Sequence, residues 1–278
     1  MRRRAFVATG FAFLATPAWA AGRAKERLVV KGAMEQGSLA LGYADPKATV
    51  KIDGQAVRLS PDGVFAFGFA FDQTRPSLVE VTWSDGAVES QTYTPTVRQY
   101  EIQRVDGLPQ NTVTPPPEVL ERIKREAGEI YVARQRDVPG SDFLSGFDWP
   151  APGRESGVFG SQRIDNGVPM APHFGVDMAA PTGTPIHAPA DGTVSLSADH
   201  YLNGGFTLID HGQGVSTSYL HQSKRLVKDG DVVKRGQLIG EIGQTGRATG
   251  PHLHWAMNWF EVKLDPSRST RKAKPDTL

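Results

Sequence analysis

Four phenylalanines stand at every second position, Phe65, Phe67, Phe69 and Phe71, and the residues between them are small. Strict alternation from Val64 to Phe71 fits a β-strand with one aromatic face turned to a core, because side chains two apart share a face only in extended chain. The neighbouring sequence repeats the message. Leu28–Lys31, Thr49–Asp53, Leu78–Trp83 and Val97–Val105 read as strands, and Asp53-Gly54, Asp62-Gly63 and Asp85-Gly86 read as the turns between them. Short strands at this spacing predict a small β-sandwich over residues 28–104, immunoglobulin-like in type. Its phenylalanines are core residues, and no catalytic cluster is visible in that segment.

Pro115-Pro116-Pro117 marks a boundary. Val119, Leu120, Ile123, Ala127, Ile130 and Tyr131 follow at helical spacing, with Pro117 suited to the first turn. They predict one amphipathic connector helix from Glu118 to Arg134 inside a linker of residues 105–144, with Glu121, Arg122, Lys124 and Arg125 on its solvated face. From residue 145 the texture changes to short apolar runs broken by glycine. Gly192-Thr193-Val194, Phe206–Asp210, Ser216–Leu220 and Gln237–Ile242 read as strands of a second β domain over residues 145–266. Residues 267–278 are polar and basic and read as a flexible tail. The fold class expected is therefore mainly β.

Residues 1–20 carry Arg2, Arg3 and Arg4, a short apolar run from Ala5 to Ala15, and Ala18-Trp19-Ala20, which is a signal-peptide pattern with cleavage after Ala20. The run is too short to span a bilayer, and export is the expectation, to a periplasm on the family resemblance given below. The whole chain carries +1, and removing those three arginines leaves −2. A nearly neutral protein gives no support for nucleic-acid binding. The chain has no cysteine, which excludes a thiol nucleophile and every cysteine-based zinc site.

The chemistry gathers in the second half. In Gly250-Pro251-His252-Leu253-His254-Trp255 two histidines one residue apart share a face of a strand, with Cβ atoms ~7 Å apart. One can bind a metal while the other works beside it. In His173-Phe174-Gly175-Val176-Asp177, Pro172 and Gly175 argue against a helix, so this pair also reads as strand or strand edge. Histidine nitrogens with a carboxylate suit Zn²⁺. His187, His200 and His211 read as structural or exposed, with His211 supporting a turn, and Asp191 and Asp210 read as turn and strand-end residues. The glycine-rich stretch from Gly240 to Gly250 lacks the lysine and following helix of a phosphate loop.

Taken in order, His173–Asp177, Gly183-Thr184-Pro185, Ala190–Val194, Ile209–Gly212, Tyr219-Leu220-His221, Gly236–Gly240 and Thr245–His254 make the chain resemble the M23 (LytM/lysostaphin-type) metallopeptidases from about Gly157 to Pro266. These are secreted zinc enzymes that cut peptide bonds in bacterial cell-wall peptidoglycan. The resemblance implies an antiparallel-β peptidase domain and one Zn²⁺ per chain on His173, Asp177 and His254. It also implies catalytic roles for His221 and His252. His252 is expected to orient and deprotonate water, and His221 to stabilise the oxyanion or protonate the leaving amine, with the two roles exchangeable. No His-Glu-x-x-His motif exists to supply a carboxylate base, so histidine is the fitting substitute. Lysostaphin-like members carry a tyrosine six residues before the first histidine, where this chain has Gly167. The expected function is hydrolysis of peptidoglycan stem-peptide cross-links, D-alanyl–diaminopimelate in type. A membrane-associated or cell-wall protein is the partner expected for the N-terminal domain. The alternative is a non-hydrolytic peptidoglycan-binding regulator of a partner hydrolase.

Overall fold

The computed structural model describes residues 27–107 and 113–273. The signal peptide expected at residues 1–20 and the last five residues, 274–278, lie outside them. The chain is mainly β, with one long helix among the described residues, Pro117–Arg134. No described helix is long and apolar enough to cross a membrane.

The N-terminal part is built from two antiparallel sheets. One holds Val29–Lys31, Leu39–Tyr43 and Val64–Gly68; the other holds Gln55–Val57, Thr49–Ile52, Ser77–Thr82 and Val88–Tyr93. Phe65, Phe67 and Phe69 are fully buried and pack with Val50, Ile52, Val79, Val81 and Trp83. Each such ring contributes roughly 2–3 kcal/mol by leaving water.

Three expectations need correction here. Strand Val64–Gly68 is buried on both faces, not one. Its small residues are the reason: Ala66 joins the core of the C-terminal half, and a Cβ on Gly68 would lie 2.8 Å from Leu264 and 3.3 Å from Trp259. Small side chains let two layers approach along a strand whose other face is aromatic. Phe71 lies beyond the strand's end and packs on Tyr100 and Phe174 at ring separations of 5.3 Å, outside the sandwich core. The expected strand Val97–Val105 is shortened to Ile102–Val105. It pairs in parallel with Gln162–Asp165, so the end of the N-terminal segment is woven into the C-terminal half.

The helix also departs from expectation. Leu120, Tyr131 and Val132 are exposed, and its one buried residue is Glu126. Glu126 accepts Arg122 Nε at 2.6 Å and the Tyr201 amide at 2.8 Å. The helix runs beside strand Gly192–His200 and is anchored there by a carboxylate, while half its apolar stripe faces a groove. At the far end, the Phe147 amide donates to Ser269 O and the Arg271 amide to Phe147 O. Arg271 also grips Asp148 through two bonds from one nitrogen at 2.7 and 2.8 Å. The first residues of the expected tail are therefore tied down.

The C-terminal half centres on an eight-stranded sheet. Its order is Val232–Val233, Gly192–His200, Gly204–Asp210, Val215–Gln222, His252–Trp259, Val176–Ala179 and Arg154–Gly157, with Val262–Leu264 added on His252–Trp259. Tyr219, Trp255, Met178, Leu253 and Ile209 fill the layer beneath it. A buried polar chain crosses that layer. Tyr219 OH is 2.7 Å from Thr217 Oγ1, which is 2.8 Å from His211 Nε2, and His211 Nδ1 donates to Asp191 O at 2.6 Å. Burial holds the His211 pKa down at about 4, so the ring is neutral and structural, as read from sequence.

A pH dependence follows from that ring. The unfolded imidazole takes its proton near 6.5, the folded one only near 4, so the unfolded state binds more protons between those values. Stability from His211 is complete above pH ~6.5 and falls as pH drops toward 4, by about 3 kcal/mol in all. Denaturant melts at several pH values, compared with His211→Gln, check this. The variant should lose a clear part of the wild-type slope, and identical slopes would refute it.

Candidate metal centre

Register brings the site together. In the antiparallel pair of Val176–Ala179 with His252–Trp259, Asp177 stands directly opposite His254, and Leu220 opposes His254 on the other side. His173 lies in the loop before Val176–Ala179, fixed by its amide on Ser161 O and by the Gly160 amide on its own carbonyl. Phe174 beside it packs on Phe71 and Phe159, so the N-terminal half supports this loop. Gly175 is required by space, because a Cβ there would meet His254 Nε2 at 2.5 Å and Trp255 O at 2.7 Å.

The three expected ligand residues converge. His173 Nε2 is 3.0 Å from Asp177 Oδ1 and 2.8 Å from His254 Nδ1, and His254 Nδ1 is 2.8 Å from Asp177 Oδ1. His173 Nδ1 faces Val158 O at 3.1 Å and must therefore carry the hydrogen, which leaves Nε2 as a lone pair. A lone pair, a carboxylate oxygen and a second imidazole nitrogen aimed at one point call for a cation. Three donors leave further positions open, the layout of a catalytic metal site.

Electrostatics agree with that reading. Burial alone would raise the Asp177 pKa, but His173 and His254 outweigh it and hold the carboxyl well below its ordinary range. Burial pushes His254 down to about 4, so its nitrogens are neutral and available as ligands at neutral pH. Asp177 Oδ2 accepts a short bond from the Arg163 guanidinium, which turns Oδ1 toward the two histidines. Arg163 was missed in the sequence, since nothing in Gln162–Asp165 signals its partner locally.

His252 and His221 sit beside this triad. Their rings are 4.7 Å apart, and His252 Nε2 is 3.8 Å from Asp177 Oδ1. His252 Nδ1 donates to Gly250 O and His221 Nδ1 to Thr245 O, both at 2.8 Å. Both rings thus present an unprotonated Nε2. Burial first, then His252 and His254, push the His221 pKa to about 3. His221 has a positive φ of 65° and lies where the ladder between Gly204–Asp210 and Val215–Gln222 slips register. Such a bulge re-aims a side chain at a cost in backbone strain. His187, His200 and His211 stand apart from the cluster; His200 stacks on Phe206 and faces Glu129. Asp191 and Asp210 bind Lys234 and Arg136, as turn and strand-end residues.

Two hollows flank the centre. One, of about 310 Å³, runs between the helix and the sheet and is lined by Ile130, Tyr131, Phe174, Asn203 and His254. The other, of about 230 Å³, lies beside Asp177 and His252.

Comparison with known proteins gives concordant matches. The model of Peptidase family M23 matches residues 171–266. The chain is 50% identical over 88 residues to the peptidoglycan DD-endopeptidase ShyA of Vibrio cholerae, covering 32% of this chain and 20% of that protein. It is 45% identical over 83 residues to the DD-carboxypeptidase/endopeptidase Mpg of Neisseria meningitidis, covering 30% and 19% respectively. The chain thus spans about a fifth of the length of these curated relatives. A crystal structure from Pseudomonas aeruginosa, titled as a peptidase M23, is 30% identical with a TM-score of 0.66, covering 85% of this chain and 95% of that one.

Proposed function

Because the chain belongs to peptidase family M23, we propose that it is an exported zinc endopeptidase that hydrolyses peptide cross-links of bacterial peptidoglycan, D-alanyl–diaminopimelate in type. The observation that carries this reading is the meeting of His173 Nε2, Asp177 Oδ1 and His254 Nδ1 within 3.0 Å of one another, beside two further imidazoles. The donor set of two neutral imidazoles and one carboxylate suits Zn²⁺. When bound, Zn²⁺ supplies Lewis acidity toward the scissile carbonyl and makes water nucleophilic at neutral pH.

The chain's own residues do the rest. His252 Nε2, free because Nδ1–H is held by Gly250 O, takes the proton from the attacking water. The protonated ring is then an acid for the leaving amine. His221, held the same way by Thr245 O, lies next to His252, and its assigned role is to stabilise the oxyanion. Its low pKa keeps it a neutral acceptor at rest, so it donates only after a proton has moved within the pair. Arg163 holds Asp177 in its ligating pose.

The test is incubation of zinc-loaded protein with purified sacculi and mass spectrometry of the soluble peptides. Release of peptides cut at the cross-link, abolished by a chelator and restored by Zn²⁺, is expected. Binding to sacculi without release would favour a regulator that does not cut.

A further inference from the structure

The hollow beside Asp177 and His252 has an unusual wall. Arg154, Arg163 and Arg247 all line it, and Asp177 is the only carboxylate that does. The three come from separate elements: strand Arg154–Gly157, strand Gln162–Asp165, and the loop between Gly243 and His252. That loop also supplies Thr245 O and Gly250 O, the acceptors that orient His221 and His252. Any ligand held by Arg247 is therefore held by the segment that aims the two imidazoles.

The positive charge here is not used up internally. Arg163 spends one nitrogen on Asp177, and its buried Nε has no partner. Arg154 is exposed, with one long contact to Glu155 O at 3.5 Å. Arg247 is half-buried, and its guanidinium makes no hydrogen bond or ion pair among the described residues. Burial lowers the Arg247 pKa, the charge of Asp165 offsets this in part, and Arg163 works against it. Asp165 lies buried near Arg247 without bonding it, and both its carboxylate oxygens are unpartnered. A half-buried guanidinium without a bonded counter-ion, beside two more arginines and a catalytic histidine, fits an anion brought by a ligand.

We propose that the pocket of Arg154, Arg163 and Arg247 is a specificity site that binds a free carboxylate of the substrate peptide next to the scissile bond. A planar guanidinium matches a carboxylate through two parallel bonds, which fixes position as well as charge. Such a group orients the peptide across His252, and a peptide with that carboxylate amidated loses the contact. The inference rests on the peptidase reading of the adjoining metal centre.

Three reduced-bond peptide analogues, with CH₂–NH in place of the scissile amide, test it on the zinc-loaded protein by calorimetry. One bears a free side-chain carboxylate beside the reduced bond and a second the carboxamide, both with amidated C-termini. A third analogue has the side-chain carboxamide and a free C-terminus, so that the two sources of carboxylate are told apart. Wild type should bind one of the two acids about 10- to 100-fold more tightly than the doubly amidated peptide. Arg247→Gln should erase that preference, and Arg247→Lys should restore part of it, with circular dichroism checking the fold of each. Equal binding of acid and amide by wild type, or an undiminished preference in Arg247→Gln, would overturn the pocket. Cleavage of the parent peptides is scored separately. Cleavage without acid preference sinks the pocket and leaves the peptidase, whereas acid preference without cleavage sinks the peptidase and leaves the pocket.

Discussion

His252→Ala should lower kcat by about 10²- to 10⁴-fold while the protein keeps its full complement of metal. The reason is the division of labour among four neighbouring imidazoles. His173 and His254 point a nitrogen at Asp177 Oδ1 at 3.0 and 2.8 Å, whereas His252 Nε2 stops at 3.8 Å. That gap puts His252 outside the ligand triangle yet within reach of a water inside it. Its side chain is only 14% exposed but lines the hollow beside Asp177, so truncation enlarges that hollow, and circular dichroism of the variant checks that the fold survives. Turnover on a defined cross-linked peptide, measured with zinc content of the same sample, decides the matter. Undiminished kcat would remove His252 from proton transfer, and loss of metal would make it a ligand.

Asp177→Ala should do the opposite, abolishing metal loading and turnover together. Asp177 is the hub of the ligand set: two histidines meet its Oδ1 and Arg163 its Oδ2. Without it the remaining imidazoles lose the only negative charge in the triad, and a guanidinium that is 19% exposed is left unpaired beside them. Metal affinity should fall by more than about 100-fold, since loss of outer partners alone costs 10- to 100-fold. Equilibrium dialysis with Zn²⁺ and the same peptide assay check it. A variant that loads zinc and turns over like wild type would end the metal-centre reading.

The site was legible in the sequence because its residues fall in short, rigid stretches. His252 and His254 need only the two-residue period of a strand, and Pro172 and Gly175 argue against a helix at His173–Asp177; that Gly175 also makes room for His254 is visible only in the structure. What stayed hidden depends on which strands meet. Arg163 reaches Asp177 from a strand whose partner, Ile102–Val105, lies about sixty residues away and runs parallel to it. Arg247 sits inside a recognisable motif, yet its role depends on Arg154 and Arg163, which nothing local connects to it. In the N-terminal half, strand Leu39–Tyr43 gave no signal because its buried positions are Ala40 and Gly42. The ring of Phe65 fills the space where a larger side chain would be. Val88–Tyr93 is a polar edge strand, so no apolar alternation betrays it. The helix misled for the converse reason: its spacing is amphipathic, but the stripe borders an open groove and the anchor is a buried glutamate.

The doubly covered strand Val64–Gly68 has a consequence for how this protein can be taken apart. One ribbon of chain is shared property: its rings complete the first hydrophobic core and its bare side forms the floor for Trp259, Val262 and Leu264 in the second. Cutting the chain at its proline boundary would strip both halves at once, leaving oily surface on each fragment. Melting of either half removes a wall of the other, so the two halves are expected to unfold as one cooperative unit, with the Phe71–Phe174 contact joining the first half to the loop that carries His173.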